Sequence, residues 1–394
     1  MLTPEQTTII KATVPLLETG GEALTTHFYK IMLGEHPEVR PLFNQAHQAS
    51  GAQPRALANG VLMYARHIDD LGALGDLPAQ IIQKHVALQV LPEHYPIVGA
   101  CLLRAIREVL GEEIATDAVI DAWGAAYGQL ADILIGAEGA EYDRLATAPG
   151  GWRGARSFRV ARKVAESAEI TSFHLEPVDG GPVVDFQPGQ YLGLRLAIDG
   201  QEVRRNYSLS QAANGRSYRI SVKREEGGLV STYLHDGVNV GDVLDVFPPA
   251  GEFTLRDGTA PVMLISGGVG ITPTLAMAEA ALAEGREVRF LHYARNGDAH
   301  AFGSAIDHWA SNYPKFRAFV AYEQGAVVEG EWPTALGRPA VAHLEDWLPT
   351  DHDCDAYLLG PKPFMAFVRK NLAQLGLPES RIHYEFFGPA EALN

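Results

Sequence analysis

The chain is short of cysteine, short of basic residues and without a long uninterrupted apolar run, and each shortage excludes something. Only Cys101 and Cys354 occur in 394 residues, far apart, so no disulfide framework is available and a reducing, cytoplasmic setting is expected. Lys and Arg number 32 against 48 Asp and Glu, a formal net charge of −16. Phosphate-rich partners need a basic face, so nucleic acid and anionic membrane are poor candidates. The longest charge-poor stretch, from Pro261 to Ala278, is broken by Gly267, Gly268, Gly270 and Pro273. It suits a turn and not a lipid-exposed helix, so no integral membrane association is expected. Glu5 and Lys11 stand where a signal peptide needs apolar residues, which argues against secretion.

What is present divides along the chain, whose length calls for two or three domains. The first third reads as helical. Thr3, Pro4 and Gln6 form a helix start, and Val119, Trp123, Tyr127, Leu130 and Leu134 make one apolar stripe at helical spacing. No strand is legible before residue 150. Ala148-Pro149-Gly150-Gly151 reads as a linker. After it come short strand patterns at Arg156 to Arg162, Ile170 to Leu175, Tyr191 to Ile198 and Tyr218 to Lys223, separated by turn signals such as Asn214-Gly215; they predict an antiparallel barrel. From Pro261 the pattern alternates strand, glycine turn and helix. Val262 to Ser266, Val288 to Tyr293, Ala318 to Tyr322 and Ala356 to Leu359 are expected to be parallel strands of a doubly wound α/β sheet. The expected division is a helical domain over 1–147, a β-barrel domain over 148–258 and an α/β domain over 259–394.

Three constellations carry chemistry. His85 lies on a helix with Ile81, Ile82 and Leu88, expected to end at Leu91-Pro92. An imidazole among aliphatics can ligate iron if its other nitrogen is satisfied, although a core histidine is the commoner reading. Gly267-Gly268-Val269-Gly270-Ile271-Thr272-Pro273 follows an apolar strand. Its glycines admit a pyrophosphate close to the backbone, with Thr272 expected to cap and Pro273 to open the following helix. Arg205-Asn206-Tyr207-Ser208 combines a planar cation with an aromatic and a hydroxyl, and Gly227-Gly228-Leu229-Val230-Ser231 opens a helix whose amides can receive phosphate.

The stretch Lys84-His85-Val86-Ala87-Leu88, followed by Pro92-Glu93-His94-Tyr95-Pro96-Ile97-Val98-Gly99, resembles the proximal segment of the bacterial flavohaemoglobins, and the resemblance runs end to end. It implies haem b on His85 as metal ligand, with Phe43 wedged against the haem face, Tyr29, Gln53 and Leu57 on the distal side, Tyr95 and Glu138 behind the histidine, and Lys84 tuning the proximal side. Tyr29 and Tyr95 also admit a plain core reading. Because Gln53 precedes Pro54, it is expected to cap the distal helix, not to lie within it. The Arg205–Ser208 run, Pro188-Gly189-Gln190-Tyr191 and Ser231 resemble the FAD site of ferredoxin-reductase-like flavoproteins. The terminal Tyr384-Glu385-Phe386-Phe387-Gly388-Pro389 is similar to that family's last segment, where Phe387 covers the flavin and Glu385 influences its potential.

The glycine turn from Gly267 is similar to the same family's nicotinamide turn. Relatives usually carry cysteine where Leu359 precedes Gly360-Pro361. Arg295 can meet a 2′-phosphate or simply be solvated, so NADH and NADPH both stay open. The resemblance implies a nitric oxide dioxygenase that binds oxygen, detoxifies nitric oxide and acts as a monomer on small molecules. A reductase of peroxides or other acceptors and a haem-based sensor or carrier are the rival readings. Built-in flavin and nicotinamide turns weigh against the carrier.

Overall fold

The computed structural model describes residues 2–44, 48, 50–75 and 77–388 and divides into two compact units. The first unit comprises the chain up to Thr147 together with Asp199–Arg205 and Gly388; the second comprises Ala148–Ile198 and Asn206–Phe387.

The helices of the first unit are α1 (Pro4–Ala12), α2 (Val14–Glu35), α3 (Ala52–Arg66), α4 (Leu77–Leu88), α5 (His94–Leu110) and α6 (Asp117–Thr147). Thr3 opens α1 with a capping box: its hydroxyl accepts from the Gln6 amide at 3.1 Å, and the Gln6 side chain accepts from the Thr3 amide at 2.9 Å. Such a cap is worth about 1 kcal/mol. Phe28, Met32, Ala65, Ala105, Trp123 and Ala126 form the centre of the core, and α6 supplies the stripe read from its sequence, with Trp123 and Leu134 buried.

Two helix ends depart from expectation. α4 stops at Leu88, three residues before Leu91-Pro92, because Gln89 turns left-handed at φ 57°. The Gln89 backbone N–H and side-chain amide both donate to the Val86 carbonyl, at 3.1 and 2.9 Å, so the helix closes before the proline acts. Gln53 is not a cap: Gly51 is the N-cap residue of α3, and Gln53 is its second helical residue. Pro54 is tolerated there because first-turn N–H groups have no intrahelical acceptor to lose.

The antiparallel sheet comprises β1 (Arg156–Ala165), β2 (Ile170–Pro177), β3 (Tyr191–Ile198), β4 (Gln201–Ser208), β5 (Tyr218–Lys223) and β6 (Val243–Val246). Its order is β4-β3-β6-β1-β2-β5, and a bridge between Leu209 and Ile220 ties the end of β4 to β5. This is the barrel expected from the sequence. Phe158, Phe173, Leu192, Leu194, Tyr218 and Ile220 fill it, all fully buried. The stretch after Gly228 is a short helix, α7 (Leu229–Thr232), continued by a π-turn to Gly237.

The second sheet is parallel: β7 (Val262–Gly267), β8 (Val288–Ala294), β9 (Phe316–Tyr322), β10 (Ala335–Leu336), β11 (Asp355–Leu359) and β12 (Ile382–Tyr384), in the order β10-β9-β8-β7-β11-β12. Helices α8 (Ile271–Ala283), α9 (Gly303–Asn312), α10 (Val341–Trp347) and α11 (Lys362–Gln374) lie in the connections. β7 and β11 are buried along their whole length, as strands covered on both faces must be. The chain leaves β7 in one direction toward β8 and returns on its other side at β11, so the switch point of the sheet lies at their carboxyl ends. α8 begins at Ile271 after a 3-10 turn over Gly268–Gly270. Thr272 and Pro273 are therefore second and third in the helix, not cap and first, and the Thr272 hydroxyl donates back to the Val269 carbonyl at 3.0 Å.

Candidate functional site

His85 sits in the last turn of α4, and its Nδ1 lies 2.7 Å from Glu138 Oε1 and 3.2 Å from the Tyr95 hydroxyl. Glu138, on α6, is 2% exposed. Tyr95, in the first turn of α5, donates to the same carboxylate oxygen at 2.6 Å. Burial, and then the adjacent Glu138, push the Tyr95 hydroxyl well above its ordinary range, so it stays a donor. An ionised carboxylate only accepts, which places the imidazole proton on Nδ1 and leaves a lone pair on Nε2. That tautomer is the one a metal-ligating histidine uses.

Two further tyrosines hold this arrangement. Tyr127 donates to the Tyr95 carbonyl at 2.6 Å, and Tyr142 donates to the Val90 carbonyl at 2.8 Å and to that of His85 at 3.4 Å. Sequence reading took Tyr127 only as part of an apolar stripe and passed over Tyr142, since a hydroxyl's partner across two helices has no spacing signal.

On the other side, Tyr29 is buried in α2, and Gln53 Nε2 donates to its hydroxyl at 3.4 Å. Burial outweighs that bond and raises the Tyr29 hydroxyl above its usual value, so it keeps its proton. Phe43 meets the Tyr29 ring edge-on, centroids 5.5 Å apart. Phe43, Leu57, Val61, Val98 and Leu88 pack against the helical core while staying only partly buried. A flat apolar group would suit such a lining: half-covered aliphatic and aromatic side chains would gain from it, and His85 Nε2 would be free to supply one ligand to its metal. Among the described residues no group of three or more His, Cys, Asp or Glu side chains is set to hold a metal, so iron on a single imidazole needs the other positions filled by a macrocycle. Lys84, half-buried beside His85, donates to the Gly388 carbonyl at 3.0 Å within the same unit. Arg205, also in this unit, donates to Asn44 Oδ1 at 3.1 Å and to the Arg204 carbonyl at 2.6 Å.

In the second unit, Tyr207 and Ser208 end β4 half-buried and Asn206 is exposed. Gly189 takes φ +110°, and a Cβ there would lie 2.1 Å from the Phe253 carbonyl oxygen, so only glycine lets this turn close over the barrel mouth. Tyr191 follows it, buried; desolvation first, then Glu385 and Glu252, raise its hydroxyl far above the ordinary value. The Ser231 hydroxyl accepts from the Glu225 amide at 3.1 Å and donates to the Gly228 carbonyl at 3.2 Å, shaping the turn that precedes α7. Phe386 packs edge-on to Tyr384 at 6.0 Å, whereas Phe387 is 50% exposed, a flat face available for a flat ring. Pro389 lies outside the described residues.

At the sheet's switch point, a Cβ on Gly270 would lie 2.4 Å from the Leu359 carbonyl oxygen; β11 and the glycine turn close up only because that residue is glycine. Gly267 and Gly268 precede it, Gly268 with φ +56°, while Val269, Ile271 and Thr272 carry the turn into α8. Amides at a helix start beside a crevice at the carboxyl ends of parallel strands form a pyrophosphate cradle. Leu359 is fully buried. Arg295 is paired with Glu169, a partner not foreseen from sequence.

Comparison with known proteins accounts for all three regions. Residues 26–134 match the Globin model, 157–255 the oxidoreductase FAD-binding domain and 264–370 the oxidoreductase NAD-binding domain. A "Flavohemoprotein" of Pseudomonas aeruginosa is 65% identical over 394 residues, all of both chains. The crystal structure of a flavohemoglobin from Malassezia yamatoensis with bound FAD and heme is similar at a TM-score of 0.86 and 26% identity, over 98% of this chain and 100% of that one. The flavohem-like FAD/NAD-binding domain of a nitric oxide dioxygenase from Vibrio cholerae matches 60% of this chain and all of its own, at 40% identity and a TM-score of 0.56.

Proposed function

This chain belongs to the flavohaemoproteins, and from that premise we propose that it is a nitric oxide dioxygenase, oxidising nitric oxide to nitrate with dioxygen and NAD(P)H. The chain is an NAD(P)H-driven haem oxidoreductase that joins a globin domain to FAD-binding and NAD-binding domains. When bound, the nicotinamide would supply a hydride, the flavin its conversion to single electrons, and the haem their delivery to dioxygen. Each nitric oxide that becomes nitrate consumes one dioxygen and one electron, so one hydride serves two turnovers.

The observation that carries the reading is the Tyr95–Glu138–His85 arrangement, with hydrogen bonds of 2.6 and 2.7 Å converging on one buried carboxylate oxygen. A carboxylate on Nδ1 gives the imidazole imidazolate character, which favours oxygen activation over simple carriage. In this reading Tyr29 donates its retained proton to the distal ligand, and Gln53 orients that hydroxyl. Phe43 and Leu57 exclude water, and Lys84 orders the proximal surface. Arg205, Asn206, Tyr207, Ser208, Tyr191, Ser231 and Glu385 to Gly388 hold the flavin. Gly267 to Thr272 hold the nicotinamide's pyrophosphate. We assign the three modules to 1–147, 148–258 and 259–394, acting as a cytoplasmic monomer.

The test is anaerobic reduction of the full-length protein, loaded with haem and FAD, by NADH, followed by oxygen and nitric oxide with nitrate measured. Nitrate should accumulate over many turnovers, and a single-turnover yield sinks the proposal. Tyr29→Phe should slow nitrate formation about tenfold, the worth of one buried hydrogen bond, while NADH still reduces the flavin at its normal rate.

A further inference from the structure

The end of α4 is capped in an unusual way. A helix commonly closes on a glycine in the left-handed conformation, but here that position is Gln89, buried and at φ 57°, where a side chain is disfavoured. The last carbonyls of α4 are met by backbone and side chains together: the Gln89 N–H donates to Val86 at 3.1 Å and the Val90 N–H to His85 at 2.9 Å, and side chains add to these. Val86 accepts from the Gln89 amide, His85 from Tyr142, and Leu88 from Arg204 Nη1 at 2.5 Å, which also reaches the Gln89 carbonyl at 3.4 Å. Arg204 belongs to the same unit. Its side chain is 16% exposed and is steadied by Glu202 at 2.7 Å from Nε. It is a half-buried cation at the negative end of the helix that carries His85, one turn from that residue.

We propose that Arg204 is a positioning residue for His85: it holds the last turn of α4 in register with Glu138, and its charge favours electron uptake by the metal on that imidazole. Glu202 is the counter-charge that keeps the guanidinium aimed at the helix end. The proposal concerns the haem ligand and not the substrate, so it stands or falls separately from nitric oxide oxidation.

The experiment uses the full-length holoprotein with Arg204→Gln and Arg204→Lys, and Arg104→Gln as a control that removes an exposed, ion-paired charge on α5. Two readouts are taken, the ferric/ferrous midpoint potential and the iron–imidazole stretching band of the ferrous protein. Arg204→Gln should lower the potential and shift or broaden the band, Arg204→Lys should restore most of both, and Arg104→Gln should change neither. If Arg204→Gln keeps its Soret band with both readouts unaltered, or if Lys behaves as Gln does, the proposal is overturned. Should Arg204→Gln fail to hold haem, the Lys variant decides alone: native readouts support the role, and a displaced potential refutes it.

Discussion

The molecule contains two kinds of histidine arrangement, and they are built for opposite ends. In the helical unit, His85 has a buried carboxylate on Nδ1, at 2.7 Å from Glu138. In the parallel-sheet region, the His292 and His300 rings lie tilted with centroids 5.3 Å apart, and their Nδ1 atoms meet hydroxyls, Ser266 at 2.9 Å and Tyr322 at 2.8 Å. A carboxylate fixes the tautomer and enriches the free nitrogen; a hydroxyl adapts to either role and adds no charge. Burial holds both histidines well down, His300 at about 4 and His292 well below its ordinary range, the latter also through its neighbour His300. One arrangement therefore leaves Nε2 without a proton, as a metal ligand must be, and the other keeps two rings neutral. Histidine content alone does not distinguish them; the atom on the second nitrogen does.

The sharpest way to break the comparison is His85→Ala. The Soret absorption of the reconstituted protein should vanish while NADH still bleaches the flavin; His292→Asn should leave the Soret band in place. A retained Soret band in His85→Ala would remove the basis for calling this histidine the ligand. The next largest effect is expected for Glu138→Gln, which keeps the shape but replaces the anion with a neutral amide. Haem should remain bound, with nitrate turnover reduced about 10- to 100-fold, as is typical when the partner of a ligating histidine is changed. Turnover within twofold of the unaltered enzyme would make Glu138 a structural partner only.

Much of this was legible in the sequence, for reasons that differ by region. β3 and β5 coincide with the strands read from Tyr191 to Ile198 and Tyr218 to Lys223, because alternation and turn residues are local signals. The glycine turn before α8 was legible since close backbone approach admits little but glycine, as Gly270 against Leu359 illustrates. The proximal triad was not readable from spacing: His85, Tyr95 and Glu138 come from three helices, and family resemblance placed them. β6 and β12, of four and three residues, are too short to show a period. The paired histidines escaped notice because Ser266 and His292 are neighbours only through strand register. Gln53 misled because a rule about the residue before proline is relaxed within the first helical turn.

The smallest effect tests the neutral pair itself. His300 is depressed to about 4 in the folded protein, against about 6.5 when unfolded. Between those values the unfolded chain takes up a proton that the folded chain refuses, so stability is complete above about pH 6.5 and declines as pH falls. The slope approaches about 1.4 kcal/mol per pH unit for one such group. His292, depressed by the same burial, adds to the decline. Urea unfolding of the full chain at pH 7, 6 and 5 should therefore lose stability more steeply in the unaltered protein than in His300→Gln, whose amide can still meet the Tyr322 hydroxyl without a proton to gain. Parallel slopes for the two proteins would mean that His300 protonates in place, and the contrast with His85 would then rest on tautomer alone.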